Sequence, residues 1–343
     1  MKIESDFSLK AFNTFGVDAT AARYVRFDAA DEIRPFLDRE PPGPQHYCVL
    51  GGGSNLLFLD DIAEPVLHPL LKGIDFLEMD GRHCWLKAMA GETWDDLVAY
   101  AVGRGWGGIE NLSFIPGSVG ASAVQNIGAY GVEAREVIER VEAIDLGTGK
   151  DAVMTPAACG FDYRYSHFKG PWNGRFIITA VVFRLHRQPE FVLDYPGVRS
   201  SVESLGAVTL ANVRRAVIAI RQAKLPDPAV VGNAGSFFKN PVVDGRVLDD
   251  LRRRHPDLPY FKAGDGRFKL AAGWLIERCG WKGRQAGRAA VHDRQALVLI
   301  NRGGATGREI LALSEQVRAA VQDAFGIDLE REVTLVGRQD PIK

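Results

Sequence analysis

Ser236 lies in VVGNAGSFFKNPVV (230–243), after Asn233, Ala234 and Gly235 and before two phenylalanines, Lys239 and Asn240. A serine so placed can be a nucleophile, a turn residue or a proton donor. Two other stretches are built for binding. VLGGGSNLLF (49–58) sets Gly51, Gly52, Gly53, Ser54 and Asn55 directly after a strand-like run. Consecutive N–H groups there can form an anion-binding nest, which a pyrophosphate approaches closely only past glycine. A tight strand-to-strand turn explains the same residues equally well. GIENLSFIPGSVGASAVQNIGAYGVE (108–133) gathers Pro116, Gly117, Ser118, Gly120 and Ala121, then Asn126, Gly128, Ala129 and Tyr130. Two separated backbone-rich loops suit a long ligand with a pyrophosphate in its middle, such as FAD.

Two commoner nucleotide motifs fail. Gly51-x-Gly53 starts a Rossmann fingerprint and Asp75 lies where a ribose acid could be, but Leu56 occupies the third glycine position and Pro65 breaks the helix that the motif requires. No Gly-Lys-Ser/Thr is present after these glycines for a P-loop.

The elements that must position these residues are mixed. A helix is expected around Asp31 to Arg39, then a PPGP breaker at 41–44 and a strand at YCVL (47–50). Trp94, Leu97, Val98, Ala101 and Val102 share one face of a helix after Thr93, closed by Gly103 and Gly105. CWLKAMA, VIERVEAIDL and RFIITAVVFRL read as strands. Asn212 to Lys224 reads as a helix with Val213, Val217 and Ile220 on its stripe, stopped by LPDP, a plausible domain boundary. KLAAGWLIERCG is a helix closed by Gly280, ALVLI a buried strand and EVTLVG a short one. Thr306 and Glu309 form a capping-box pattern opening a helix that Gly326 ends. Strands and helices interleave without regular alternation, which favours α+β over a doubly wound sheet.

Composition narrows the function class. With 343 residues, 46% of them hydrophobic, the chain can fill two or three domain cores. The 42 basic and 43 acidic residues leave a net charge of -1, so no broad nucleic-acid or membrane-binding face is expected and an anion must be held locally. The N-terminus is charged where a signal peptide is apolar, and no run approaches the roughly 20 apolar residues of a span, which makes the cytoplasm the default compartment. Cys48, Cys84, Cys159 and Cys279 lack CxxC pairing and read as small, mostly buried side chains. The seven scattered histidines show no ligand spacing, so no metal is expected.

Taken in order along the chain, NTFGVDATA (13–21), GGGSNLLF, ENLSFIPGSVGASAVQNIGAYGVE, CGFDYRYSHFK (159–169), KLPDP, GNAGSFFKNPVV, KLAAGWLIERCG, AVHDRQALVLIN and LEREVTLVG resemble the UDP-N-acetylenolpyruvoylglucosamine reductase family from Asn13 to Gly337. YPG at 195–197 makes the chain similar to the longer form, in which a tyrosine loop closes over the substrate. The resemblance implies a two-part FAD-binding fold of the vanillyl-alcohol-oxidase or PCMH type with a C-terminal substrate-binding α+β domain. Its expected divisions are 1–70 completed by 326–343, then 71–210, then 211–325, with the last strand returning to the N-terminal part. It further implies FAD and NADPH as cofactors and a UDP-sugar enolpyruvate substrate, with no obligate protein partner evident. Nothing in the residues themselves reads a ribose phosphate. Some relatives carry an acidic or different residue at the centre of GGGSN, and Gly52 is expected only to loosen that loop.

The implied reaction adds hydride to the terminal carbon of an enolpyruvyl ether and leaves negative charge beside the carboxylate. Arg164, in YRYS, suits that charge because a guanidinium is permanently cationic and grips a carboxylate with paired donors. Glu332, in LEREV, matches the family's glutamate; a carboxyl beside a second carboxylate favours its protonated, hydrogen-bond-donating form. Ser236 matches the family's proton donor. A nucleophile would call for GxSxG, and Phe238 stands at the last position. Tyr163, Arg164, Tyr195, Lys224, Asn240, Tyr260 and Gln295 match residues that hold the UDP-sugar, Lys224 near a phosphate. The rivals are another flavin oxidoreductase of the same fold, which would lack Ser236, Arg164 and Glu332 as a set, and a nucleotide-sugar binder without chemistry.

Overall fold

The structure is a computed structural model that describes residues 1–40 and 47–338. The PPGP breaker at 41–44 and the tail 339–343 of the expected first division lie outside the described residues. The chain forms two units, one of Met1–Phe7, Ala21–Gly53 and Ala63–Ala223, the other of Ser8–Thr20, Ser54–Ile62 and Lys224–Lys343.

In the first unit, Thr20–Phe27 runs parallel to Val66–Pro69, which in turn pairs with Cys48–Val49, so the short 48–49 strand points straight at the glycines. A second, antiparallel sheet has the order Asp151–Met154, Ile138–Asp145, Phe176–His186, His83–Met89, Ile74–Met79. Alternation fixes its faces: Cys84, Leu86 and Ala88 are fully buried along His83–Met89 and meet Trp94, Leu97, Val98 and Ala101 of the Trp94–Gly103 helix. Burying each such leucine or valine is worth about 1.5–3 kcal/mol, which ties the start of that helix, and the 116–118 segment bridged to it at Thr93↔Ser118, to a rigid sheet. The Leu210–Lys224 helix begins two residues earlier than its stripe suggests, and Val213, Ala216 and Val217 pack with Leu193, Val198 and Val202.

In the second unit, Gly232–Ser236, Val298–Asn301, Ala289–Val291 and Gln285–Ala286 form one sheet, and Val242–Asp244, Arg267–Leu270 and Tyr260–Lys262 another. The Gly307–Phe325 helix carries the capping box its sequence predicts: the Thr306 hydroxyl accepts the Glu309 N–H at 3.1 Å, and the Glu309 carboxylate accepts the Thr306 N–H at 2.8 Å. Gly326 ends it in the left-handed region, φ +70°. The last strand, Thr334–Val336, pairs in parallel with Leu56–Phe58. No helix among the described residues is long and apolar enough to cross a membrane.

Candidate active site

The two glycine loops meet in the first unit. Leu50 donates its N–H to Leu67 at 2.8 Å, and the chain then turns through Gly51, Gly52 and Gly53, the last at φ +63°. A Cβ on Gly52 would lie 2.6 Å from the Gly117 Cα, while one on Gly51 would lie 3.1 Å from the side chains of Ala121 and Ser118. Gly52 therefore does more than loosen the loop, which corrects the expectation: its missing side chain is what lets the backbone of 117 approach. The result is a cradle walled by main chain, as a pyrophosphate-bearing cofactor requires.

The second loop donates less than its composition implied. The Val119 N–H goes to Glu92 and the Gly120 N–H to Ala90, both at 2.9 Å, and the Ala121 N–H to the Ser118 hydroxyl at 3.4 Å. Asn126 is fully buried and left-handed at φ +44°, and its amide donates to Asp162 and Glu133 while accepting the Arg135 N–H. That side chain is a structural pin, and the Asn126 N–H is spent as well, on the Ala123 carbonyl at 3.4 Å.

Asn126 leads into a hairpin of Gly128–Ala129 against Val132–Glu133, turned by Tyr130 at φ +50° and Gly131 at φ +90°, the sign pattern of a type I′ turn. Arg164 comes from a second tight turn, where Asp162 and Tyr165 exchange N–H···O bonds of 3.0 Å, and is itself left-handed at φ +54°. Its guanidinium donates to the Gly128 carbonyl and lies 5.1 Å from the Tyr163 ring centroid. A Cβ on residue 128 would come 2.5 Å from the Arg164 Nη1, so glycine there admits the arginine. Tyr195 meets Tyr130 edge-on, ring centroids 5.2 Å apart.

A further cation joins this group. Arg221 of the Leu210–Lys224 helix donates to the Phe114 carbonyl at 3.0 Å and bonds the Tyr130 hydroxyl. Burial holds its pKa below the ordinary arginine value, against the opposing pull of Tyr130 and Asp95; burial pushes the Tyr130 phenol up. Phe114 is left-handed, φ +59°, a strained state for an aromatic residue. It is held from both sides, since Asp95 accepts its N–H and grips Arg214 with two bonds of 2.6 and 2.8 Å. Despite burial, the Arg214 guanidinium and the Phe114 N–H keep the Asp95 carboxyl below the usual carboxylate range. Lys224 closes the same helix and is exposed.

In the second unit Ser236 is the last residue of a strand rather than the cap of a turn. Gly232 and Asn233 pair with Asn301 and Ile300, the ladder shifts, and Ser236 pairs with Val298. The shift has a cause: the buried Asn233 accepts the Gly235 N–H at 2.9 Å, and Gly235 takes φ +68°. After Ser236 the chain turns to a new partner. Phe238 bridges Arg331, Lys239 donates its N–H to Glu330 at 2.8 Å, and the Glu332 N–H donates to Phe237 at 2.8 Å. Asn55 adds a bond of 3.2 Å to the Glu332 carbonyl and accepts the Thr334 N–H at 3.1 Å. Ser236 and Glu332 thus lie on neighbouring, hydrogen-bonded segments, with Asn55 of the glycine-rich stretch against the second.

The remaining predicted residues lie in this unit too. Asn240 accepts the Ala272 N–H at 3.0 Å and so caps the Ala272–Arg278 helix. Gln295 accepts the Leu297 N–H at 3.4 Å. Tyr260 is exposed on its strand, with Phe268 edge-on at 5.7 Å and the Arg252 guanidinium 5.1 Å from its ring centroid.

Comparison with known proteins adds the family. A model described as a UDP-N-acetylenolpyruvoylglucosamine reductase C-terminal domain matches residues 227–336, and one described as an FAD binding domain matches 25–152. A UDP-N-acetylenolpyruvoylglucosamine reductase of Bacteroides fragilis is 47% identical over 335 residues, 97% of this chain and 100% of that one. The chain belongs to the UDP-N-acetylenolpyruvoylglucosamine reductase family. A family member of Chromobacterium violaceum is 47% identical over 97% of this chain and 98% of its own. The crystal structure of UDP-N-acetylenolpyruvylglucosamine reductase from Thermus caldophilus superposes with a TM-score of 0.67 at 27% identity, covering 98% of this chain and 99% of that one. As a member, the chain is an FAD-containing oxidoreductase, α+β, with the two-part FAD-binding fold of the vanillyl-alcohol-oxidase or PCMH type and a C-terminal substrate-binding α+β domain.

Sequence reasoning missed Arg221 and His68. Arg221 comes four residues after Val217, so a charge on the helix's buried stripe was the available signal. His68 supports the first glycine loop: its Nδ1 and the Tyr24 hydroxyl share a hydrogen bond of 2.7 Å, and the ring also bonds the Gly51 backbone. Burial, helped by Arg26, pushes its pKa down to about 4 from 6.5. Between those values the unfolded chain binds a proton that native His68 refuses, so stability falls as pH drops through that window and is fully present above it. Melting temperatures measured from pH 7 to 4 should show this loss, and His68→Gln should remove that part of the slope. An unchanged slope in His68→Gln would place the titration elsewhere.

Proposed function

We propose that this protein reduces UDP-N-acetylglucosamine enolpyruvate to UDP-N-acetylmuramate with NADPH, in peptidoglycan precursor synthesis in the cytoplasm, and so serves wall biogenesis, cell shape and division. Family membership supports the substrate class. The observation on the chain itself that carries the reading is the registration of Ser236 beside Glu332 through the Glu332 N–H to Phe237 bond.

In this reading Gly51, Gly52, Gly53, Ser54, Asn55, Pro116, Gly117, Ser118, Gly120, Ala121, Asn126, Gly128, Ala129 and Tyr130 hold FAD, chiefly by backbone. FAD, when bound, supplies hydride drawn from NADPH to the terminal enolpyruvyl carbon. Arg164 binds the substrate carboxylate and stabilises the charge that spreads onto it. Glu332 serves the same developing oxyanion as a hydrogen-bond donor, the role that its match to the family's glutamate implies. Ser236 gives its hydroxyl proton to the carbanionic carbon: the O–H bond breaks, a C–H bond forms, and solvent reprotonates the serine oxygen. A hydroxyl is a weak acid, so the transfer is downhill only because the acceptor is strongly basic. Tyr163, Tyr195, Lys224, Asn240, Tyr260 and Gln295 hold the UDP-sugar, and 1–70 with 326–343, 71–210 and 211–325 act as the three working divisions.

Purified protein should be yellow, bleach with NADPH and recover colour on adding UDP-N-acetylglucosamine enolpyruvate. Colourless protein that FAD cannot reconstitute, or bleached protein that the sugar nucleotide does not restore, would reject the activity.

A further inference from the structure

Asn111 lies near the start of the second glycine-rich stretch and takes no part in the proposed binding or chemistry, yet it is 1% exposed and its amide is spent in one place. It sits in the short Glu110–Leu112 turn of helix beneath the 128–133 hairpin. Nδ2 donates to the Tyr130 carbonyl at 2.9 Å and to the Val192 carbonyl at 2.8 Å. Its Oδ1 is buried without a hydrogen-bond partner among the described residues. The amide orientation is therefore dictated by the two carbonyls, since the flipped form would set oxygen against both. An unpartnered buried acceptor is a cost that the two donations must outweigh.

The two carbonyls belong to segments that each carry a tyrosine. Tyr130 is the hairpin turn itself. Val192 lies in residues 189–194, which form no helix or strand, three positions before Tyr195. The flanks of Val192 repeat the attachment: a Cβ on Gly131 would meet the Val192 side chain at 2.9 Å, and Leu193 is buried among Val198 and Val202. Beyond the anchor, Tyr195 rests edge-on against Tyr130 while staying 39% exposed.

We propose that Asn111 is the positioning residue for Tyr195, a latch whose single amide fixes the 189–197 loop to the hairpin and so sets the ring of Tyr195 against that of Tyr130. Its consequence for the sugar nucleotide rests on the reading of Tyr195 as a substrate residue. Asn111→Leu keeps the bulk and removes both donors; Asn111→Ser, which keeps one hydroxyl donor, gives a milder second variant should the first fail to fold.

Two measurements decide it. Hydrogen exchange of the 190–195 amides, without substrate, should speed up about tenfold in Asn111→Leu, while the Phe176–His186 strand is unchanged. In steady-state assays the KM for the sugar nucleotide should rise about tenfold while reduction of bound FAD by NADPH keeps its rate. In a Tyr195→Ala background Asn111→Leu should add nothing further to KM. Unaltered loop exchange, or KM effects that multiply independently, would overturn the latch. A wild-type protein inactive on the sugar nucleotide would reject the proposed activity, and loop exchange alone would then decide the role of Asn111.

Discussion

Ser236→Ala is expected to leave reduction of bound FAD by NADPH at its wild-type rate and to slow reoxidation by the enolpyruvyl substrate by about 10²- to 10⁴-fold, the usual contribution of a positioned general acid. The asymmetry arises from where the proton is needed. NADPH takes nothing from Ser236, whereas the substrate cannot become product until its carbanionic carbon is protonated. The fold should survive, because Ser236 is a half-buried strand-end residue whose neighbours are held by other groups: Gly235 by the Asn233 side chain and Phe237 by Leu297 and Glu332. Surface and strand-end changes of this size stay within about 0.5 kcal/mol. Stopped-flow flavin absorbance separates the two half-reactions. Equal slowing of both would mean that Ser236 shapes the flavin site generally, and undiminished reoxidation would remove it from the chemistry.

Much of the scaffold was legible because local signals and tertiary demands agree. The helix after Thr306 was readable to within a residue, since a reciprocal cap and a left-handed glycine punctuate an apolar stripe at both ends. Strands such as Phe176–His186 announce themselves by β-branched and aromatic content. Ser236 shows the limit. Asn-Ala-Gly-Ser looks like turn chemistry, yet Asn233 spends its side chain on a β-bulge, and the segment still joins a sheet through Val298. No local rule separates an asparagine that stops a strand from one that kinks it.

The site was legible only through long motifs, because its geometry comes from contacts distant in sequence. Ser236 and Glu332 are nearly a hundred positions apart and are registered by one backbone bond. Arg221 is marked in the sequence only as a charge on an apolar stripe, and its partner, the carbonyl of the left-handed Phe114, is more than a hundred positions away. Asn126 was selected for its place in a glycine-rich run, but its amide proves to be consumed by Asp162, Glu133 and Arg135. Composition shows that a loop is special, not which of its atoms remain free.

Gly52→Ala should cost the protein its flavin. The new methyl would stand 2.6 Å from the Gly117 Cα and 3.0 Å from its carbonyl carbon, main-chain atoms with no rotamer to change. Gly117 cannot retreat easily either: it is at φ +124°, and its carbonyl accepts the Trp94 N–H at 3.0 Å at the anchored start of a buried helix. The 51–53 loop must therefore move, and overpacking of this kind costs about 1–3 kcal/mol, or roughly 5- to 150-fold in FAD affinity if the displaced groups are those that bind it. Gly51→Ala is the internal control. Its methyl would meet only the Ala121 Cβ and the Ser118 hydroxyl at 3.1 Å, an approach tight by a few tenths of an ångström rather than a 2.6 Å clash with main chain, so its loss should be several-fold smaller. Flavin-to-protein ratio on purification, together with FAD titration of the apoproteins, measures both. Wild-type flavin content in Gly52→Ala, or greater damage in Gly51→Ala, would mean that the contact between the two loops is not what shapes the cofactor cradle.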